Sequence, residues 1–198
     1  MKPVADILQL YEFGHRDFGE NYVQELLIKQ PVLPADIRWH FIGHLQSNKV
    51  KQIAPFIHLL HSVDSFKLFR EINKEGSKQN RVIDCLLQVH ISKEETKFGF
   101  DNAEVASVIE EIKTFEQNAH NHFARVAGFM GMASFLDDQQ LLQQEFKSLK
   151  QLYDQYKEQR VESIAFRHLS MGMSNDYELA VAEGSNMVRL GSLLFGMR

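Results

Sequence analysis

Apolar positions along this chain keep two rhythms, and the rhythms take turns. Val4, Ile7, Leu8 and Tyr11 fall at helical spacing behind Pro3. Proline suits a first helical turn, where its missing N–H has no partner to lose. Gly14 can end that helix, and Arg16-Asp17-Phe18-Gly19 reads as a very short strand. Tyr22, Val23, Leu26 and Leu27 begin a second helix that Pro31 should stop. Trp39 to Gly43 reads as strand, Asn48 to Ile53 as a short helical stretch ended by Pro55, and Ile57 to Val63 as strand again. Asp64 or Ser65 can cap a helix that turns Leu68, Phe69 and Ile72 inward, with Gly76 beyond its end.

The second half repeats the alternation. Val82 to Ile91 is the best candidate for a buried strand, and Val105, Val108, Ile109, Ile112 and Phe115 mark an amphipathic helix. Val126 to Ser134 is strand-like and punctuated by glycine. Leu142, Phe146, Leu149, Tyr153 and Tyr156 form the stripe of a long helix, read as core-facing. Ser163 to Met171 is strand, ending in Gly172; Asn175 and Glu178 suit a capping box ahead of a helix that Gly184 stops; Met187 to Phe195 is the last strand. Seven strands and about seven helices alternate, which implies parallel pairing through right-handed crossovers. A doubly wound open sheet and a (β/α) barrel both fit. With 198 residues and no internal boundary, residues 1–198 read as one domain.

Composition narrows the function classes. The chain is 44% hydrophobic and 24% charged, as in ordinary globular proteins. A net charge of −4 argues against a nucleic-acid footprint, which needs a basic face. No apolar run is long enough to span a membrane, and Met1 to Asp6 lacks the apolar core of a signal peptide. Cys85 is the one cysteine, so no intrachain disulfide can form. It sits in an apolar run and reads as a buried structural thiol. Together these features favour the cytoplasm.

In parallel βα folds, ligands bind at the C-terminal ends of the strands. That rule selects Glu20-Asn21, His40 and His44, Ser134, Gly172-Met173-Ser174 and Arg189-Leu190-Gly191-Ser192. Gly172 to Asn175 could cradle a phosphate or could be a plain glycine turn with a helix cap. Gly191-Ser192 repeats the theme on the next strand, and barrels frequently build a phosphate site from the loops after their last two strands. Arg189, inside an apolar strand, needs a partner, either a structural carboxylate or a ligand atom. His40 and His44 are four apart, but Gly43 breaks the helix that would make this metal spacing, so no metal is expected. Metalloprotease, paired-cysteine and serine-elbow patterns are absent.

These elements resemble the YggS-like family of pyridoxal 5'-phosphate (PLP) binding proteins. The resemblance rests on Phe18-Gly19-Glu20-Asn21-Tyr22-Val23-Gln24-Glu25, on Trp39 to Lys49, on Val63-Asp64-Ser65, on Lys97-Phe98-Gly99, on Leu169 to Asp176, and on Gly184 to Ser192 with Phe195-Gly196. It implies a (β/α)8 TIM-type barrel like the alanine racemase N-terminal domain, with PLP at the C-terminal mouth. It implies phosphate contacts from Ser174, Gly191 and Ser192, Arg189 facing the pyridine nitrogen, and Asn21 and His40 lining the ring. It implies a non-catalytic, monomeric carrier or buffer in vitamin B6 homeostasis, with PLP and apo-forms of PLP enzymes as partners. A PLP-dependent enzyme such as a racemase, or a barrel enzyme acting on another phosphorylated metabolite, are the competing readings. The family's Schiff-base lysine precedes a Lys-Pro pair; aligned on Lys2-Pro3, that lysine lies upstream of residue 1. The chain therefore reads as a shortened form, from a misplaced start or a truncated gene, lacking the first barrel strand and its preceding helix. Lys2, or the Met1 amino group, is then a possible substitute, and PLP binding is expected to be weak and largely non-covalent.

Overall fold

The computed structural model describes residues 2–92, 98–118, 122–135 and 138–196. Helix α1 (Val4–Glu12) leads into β1 (Asp17–Glu20) and α2 (Val23–Lys29); β2 (Arg38–Phe41) and α3 (Val50–Ile53) follow, then β3 (Leu59–Val63) and α4 (Phe66–Lys78). Next come β4 (Ile83–Val89), α5 (Asn102–Asn118), β5 (Ala124–Gly131) and α6 (Gln139–Tyr156). A two-residue strand β6 (Arg160–Val161) precedes β7 (Ile164–Met173), α7 (Tyr177–Ala182), β8 (Met187–Arg189) and α8 (Ser192–Phe195). The sheet runs β1-β2-β3-β4-β5-β7-β8, parallel throughout, while β6 folds back antiparallel on β7.

The strands curl into a nearly closed barrel: among the described residues β1 and β8 form its two edges and do not pair with each other. Lys2 lies at this seam, where its ammonium donates to the carbonyls of Phe195 (2.6 Å) and Gly196 (2.8 Å).

Alternation along each strand builds two apolar layers. Outward residues such as Trp39, Phe41, Leu60, Cys85, Leu87, Val126 and Phe129 share one buried cluster with Leu26, Ile53, Phe69, Ile112, Phe146 and Leu149 of the surrounding helices. Burial pushes the Cys85 thiol well above its usual range, which suits a structural residue. Inside the barrel, Leu59, Leu86, Ala127 and Met130 form a separate small cluster against Met132 and Met187. Most of these come from β3 to β5. The rest of the interior carries His40 of β2, His61 near the end of β3, Ser170 of β7 and Arg189 of β8 instead. This division between an apolar and a polar half positions the site.

Four details depart from the sequence reading. The last strand stops at Arg189, and Phe195 belongs to α8, where its N–H donates to the Gly191 carbonyl. Residues 175 and 178 form no capping box: Asp176 holds the N-cap position of α7 without a side-chain bond to the helix, and its carboxylate accepts from the Met173 N–H at 2.5 Å. A reciprocal capping box does occur at Asp101 and Glu104, ahead of α5. Gly76 lies within α4, because its bare Cα packs against the backbone at Phe123. Ser65 caps α4 as expected, accepting from the Leu68 N–H at 3.3 Å. Of the Lys97-Phe98-Gly99 element, Lys97 lies outside the described residues, as does Met1.

Candidate functional site

A cavity of about 1310 Å³ opens between the ends of β1, β2, β7 and β8. Asn21, His40, Ser174, Arg189, Gly191 and Ser192, the residues that the family resemblance implies for the cofactor, all line it, and so does Lys2. Parallel pairing explains the convergence. Strands that share a direction bring their C-terminal turns to one rim, however far apart those turns are in sequence.

Arg189 ends β8 and reaches across the interior. Its Nη1 donates to the Ser170 carbonyl (3.0 Å) and hydroxyl (2.7 Å), and its Nη2 to the Gly131 carbonyl (3.0 Å). All three acceptors are neutral. Among the described residues no carboxylate forms an ion pair with it, and Asp176 favours its charge only from beyond ion-pair distance. Burial lowers its pKa to about 10, which leaves a full cation at neutral pH. A guanidinium carries five N–H donors, and these bonds use three. The site thus holds a half-buried cation with donors to spare, which an acceptor in the cavity would engage.

The turns after β7 and β8 suit an anion. The Ser174 hydroxyl oxygen accepts from the backbone N–H groups of Gly191 (3.1 Å) and Leu193 (3.3 Å), which ties the turn after β7 to the turn after β8. With both lone pairs engaged, the hydroxyl's own proton is left to donate. A Cβ on Gly191 would meet nothing within 4 Å, so the missing side chain leaves the backbone open to the cavity. Gly172 serves differently: its φ of +96° makes the turn, and a Cβ there would lie 2.6 Å from that of Ala180. It is needed for packing of α7 rather than for a ligand.

On the β1 and β2 side, Asn21 is exposed on the rim. Gly43 makes room behind it, since a Cβ at 43 would lie 2.1 Å from the Asn21 carbonyl oxygen. Neighbouring Glu20 and Glu25 enclose the nearly buried ammonium of Lys29, with Glu25 at 3.2 Å. His40 lies on the cavity floor. Its Nδ1 is 2.9 Å from Nε2 of His61, and its Nε2 is 3.1 Å from the Asp17 carboxylate. Burial, opposed by Asp17, lowers its pKa to about 4. His61 is fully buried, which holds it well below the usual range too, so both rings are neutral at pH 7.

Other sequence candidates have local duties. Ser134 lines the cavity, but its hydroxyl and N–H both donate to Glu145. His44 lies outside the cavity lining, 3.1 Å from Asp64 and stacked on the Phe98 ring at 4.3 Å. Asp17, His40 and His58 bring possible ligand atoms within 4.8 Å of one another. Arg38 already grips the Asp17 carboxylate through two N–H groups, and both His40 nitrogens are engaged. Sequence reasoning missed Asp17, His61, Ser170 and Lys29. The signal for His61 and Ser170 was present: each is a polar residue at an inward position of a strand otherwise read as buried.

Comparison with known proteins follows the same lines. The profile of the alanine racemase N-terminal domain matches residues 3–198. A pyridoxal phosphate homeostasis protein of Aquifex aeolicus is 39% identical over 197 residues, covering 99% of this chain and 83% of the relative. One of Schizosaccharomyces pombe is 35% identical, covering 99% of this chain and 80% of its own. PipY of Synechococcus elongatus, solved without PLP, superposes with a TM-score of 0.88 at 32% identity, over 98% of this chain and 88% of that one. The structure of PipY with PLP bound gives 0.85 over the same shares. An alanine racemase of Clostridium difficile gives 0.73 at 15% identity, over 98% of this chain and 48% of the enzyme, a likeness of fold alone.

Proposed function

The chain belongs to the family of pyridoxal phosphate homeostasis proteins, built on the alanine racemase N-terminal domain, and from that premise we propose that it binds PLP at the barrel mouth and holds it as a non-catalytic carrier or buffer. Arg189 carries this reading: a half-buried cation, ion-paired to no carboxylate among the described residues, lining a cavity that the Ser174 hydroxyl lines as well. The hydroxyls of Ser174 and Ser192, with the open backbone at Gly191, would hold the phosphate, and Arg189 the pyridine nitrogen. Asn21 and His40 would flank the ring.

When bound, PLP supplies a reactive aldehyde conjugated to an aromatic ring. This chain's own residues shape what that ring can do. A guanidinium donates a hydrogen bond but does not surrender its proton at neutral pH, so the ring nitrogen stays unprotonated. An unprotonated ring withdraws electrons poorly, which favours holding the cofactor over carbanion chemistry. Lys2, with its ammonium bound by two carbonyls at the seam, is poorly placed to compete as a nucleophile. Cytoplasmic residence belongs to this proposal, and no described helix is long and apolar enough to cross a membrane.

Titration of the purified protein with PLP, followed by absorbance, tests the reading. Saturable binding at one equivalent is expected, together with a loss of roughly ten- to hundredfold in Arg189→Met, given about 1.5–3 kcal/mol for a hydrogen bond from a charged group. Unchanged affinity in a folded Arg189→Met would sink it.

A further inference from the structure

Polar side chains cross the barrel interior in a single hydrogen-bonded file, and its two ends fix its direction. At one end, the Asp17 carboxylate is gripped by Arg38 and stays ionised, its pKa lowered to about 2, so it can only accept. At the other end Arg189 can only donate. Between them the contacts run Asp17 to His40 (3.1 Å), His40 to His61 (2.9 Å), His61 to the Ser170 hydroxyl (3.3 Å), and Ser170 to Arg189 (2.7 Å).

Each neutral imidazole has one N–H and one bare nitrogen. Facing a carboxylate, His40 must carry its proton on Nε2. Its Nδ1 is then bare and accepts from Nε2–H of His61. The bare Nδ1 of His61 accepts the Ser170 hydroxyl proton, and the Ser170 oxygen accepts from Arg189. The reverse setting would press the bare nitrogen of the buried His40 ring against an anionic oxygen 3.1 Å away, a repulsive contact with no proton between the two atoms.

We infer that His61 and Ser170 are positioning residues for Arg189, and that the file withholds protons from the acceptor Arg189 faces. Every proton in it points away from Arg189 and toward Asp17. Arg189 is locked in one setting, and none of these groups can pass a proton to a ring nitrogen above it. Naming that acceptor as the pyridine nitrogen of PLP rests on the proposed function; the direction of the file does not.

Nitrogen-15 NMR of histidine-labelled protein at pH 7, without PLP, reads the tautomers directly. Both His40 and His61 are expected as neutral Nε2–H rings. Either ring found as the Nδ1–H tautomer, or as imidazolium, overturns the proposal. In folded Asp17→Ala, His61 is expected to become a mixture of tautomers although it does not touch residue 17. A His61 signal unchanged in that variant shows that Asp17 does not set the direction, and the proposal falls. Should Asp17→Ala not fold, Ser170→Ala reads the file from its other end. His40 should keep its tautomer while PLP affinity drops several-fold, and unchanged affinity removes the positioning role. Correct tautomers in a protein that binds no PLP would support the file and overturn the proposed function instead.

Discussion

Single atoms decide most of what this site can hold. The Ser174 oxygen joins two turns and keeps a proton to offer. Ser174→Ala is expected to weaken PLP binding roughly ten- to hundredfold, since a bond to a charged group contributes about 1.5–3 kcal/mol. Titration of the variant beside wild type checks this, and equal affinities would remove Ser174 from the phosphate site. His40 gives a second expectation, on pH. Its folded pKa lies at about 4 against 6.5 for a free side chain, with burial the larger cause. Below pH 6.5 the unfolded chain binds a proton that the folded chain refuses. The neutral ring therefore costs no stability above pH 6.5, and stability falls as pH drops from 6.5 toward 4. The loss is on the order of 3 kcal/mol from His40 alone, at about 1.36 kcal/mol per pKa unit. His61 is shifted the same way and adds to it. Denaturant unfolding at pH 7 and pH 4.5, in wild type and in His40→Asn, should show a shallower pH dependence in the variant. Parallel curves would mean that the ring is solvated.

Elements place these atoms, and they do so through close backbone approach as much as through side chains. The end of β2 passes beneath the β1–α2 turn so tightly that a methyl group at 43 would collide with the Asn21 carbonyl. Gly43→Ala is expected to push that turn outward, to cost about 1–3 kcal/mol as overpacking does, and to weaken PLP binding in the same variant. Unfolding and titration run together would test it; a loss of stability with intact PLP affinity would detach Asn21 from the site. The short helix α8 shows how one element can be misread. Met187 to Phe195 is apolar enough for a long strand, yet after Arg189 the chain turns at Gly191, and Ser174 binds the N–H groups of the turn. A strand there would have carried those N–H groups along the sheet edge. The turn gathers them at the mouth.

At the scale of the molecule, the barrel separates an apolar half, around Leu86 and Met130, from a polar half that ends in Arg189. A ligand that relieves Arg189 should stabilise the whole fold, because binding to the native state alone shifts unfolding by mass action. PLP at a hundred times its dissociation constant is expected to add about 2.7 kcal/mol, visible as a rise in the thermal midpoint. No rise at saturating PLP would contradict specific binding. The loaded protein is also expected to show no sustained racemisation, transamination or decarboxylation of common amino acids. Steady turnover above that of free PLP would replace the carrier with an enzyme.

The order of elements needed no coordinates. Seven of the strands and the helices between them follow from apolar spacing, because a helix and a strand bury one face at different periods. Many of the cavity residues were legible too, since the rule that ligands sit at strand C-termini turns a list of turns into a list of neighbours, although His44 and Gly172 fall outside the lining and Asp17 and His61 were missed. Tertiary structure decided the rest. Apolar spacing in residues 187–195 is the same for a strand and for a strand followed by a helical turn, and contact with Ser174 settles which one forms. Nor does the spacing of Asp17, His40, His61, Ser170 and Arg189 carry any mark of their union. Each lies on a different strand, and hydrogen bonds between strands depend on register and curvature, which no local pattern encodes. Arg189 makes the difference plain: the sequence shows a buried charge in need of a partner, while the folded barrel surrounds it with neutral acceptors and leaves its remaining donors to the cavity.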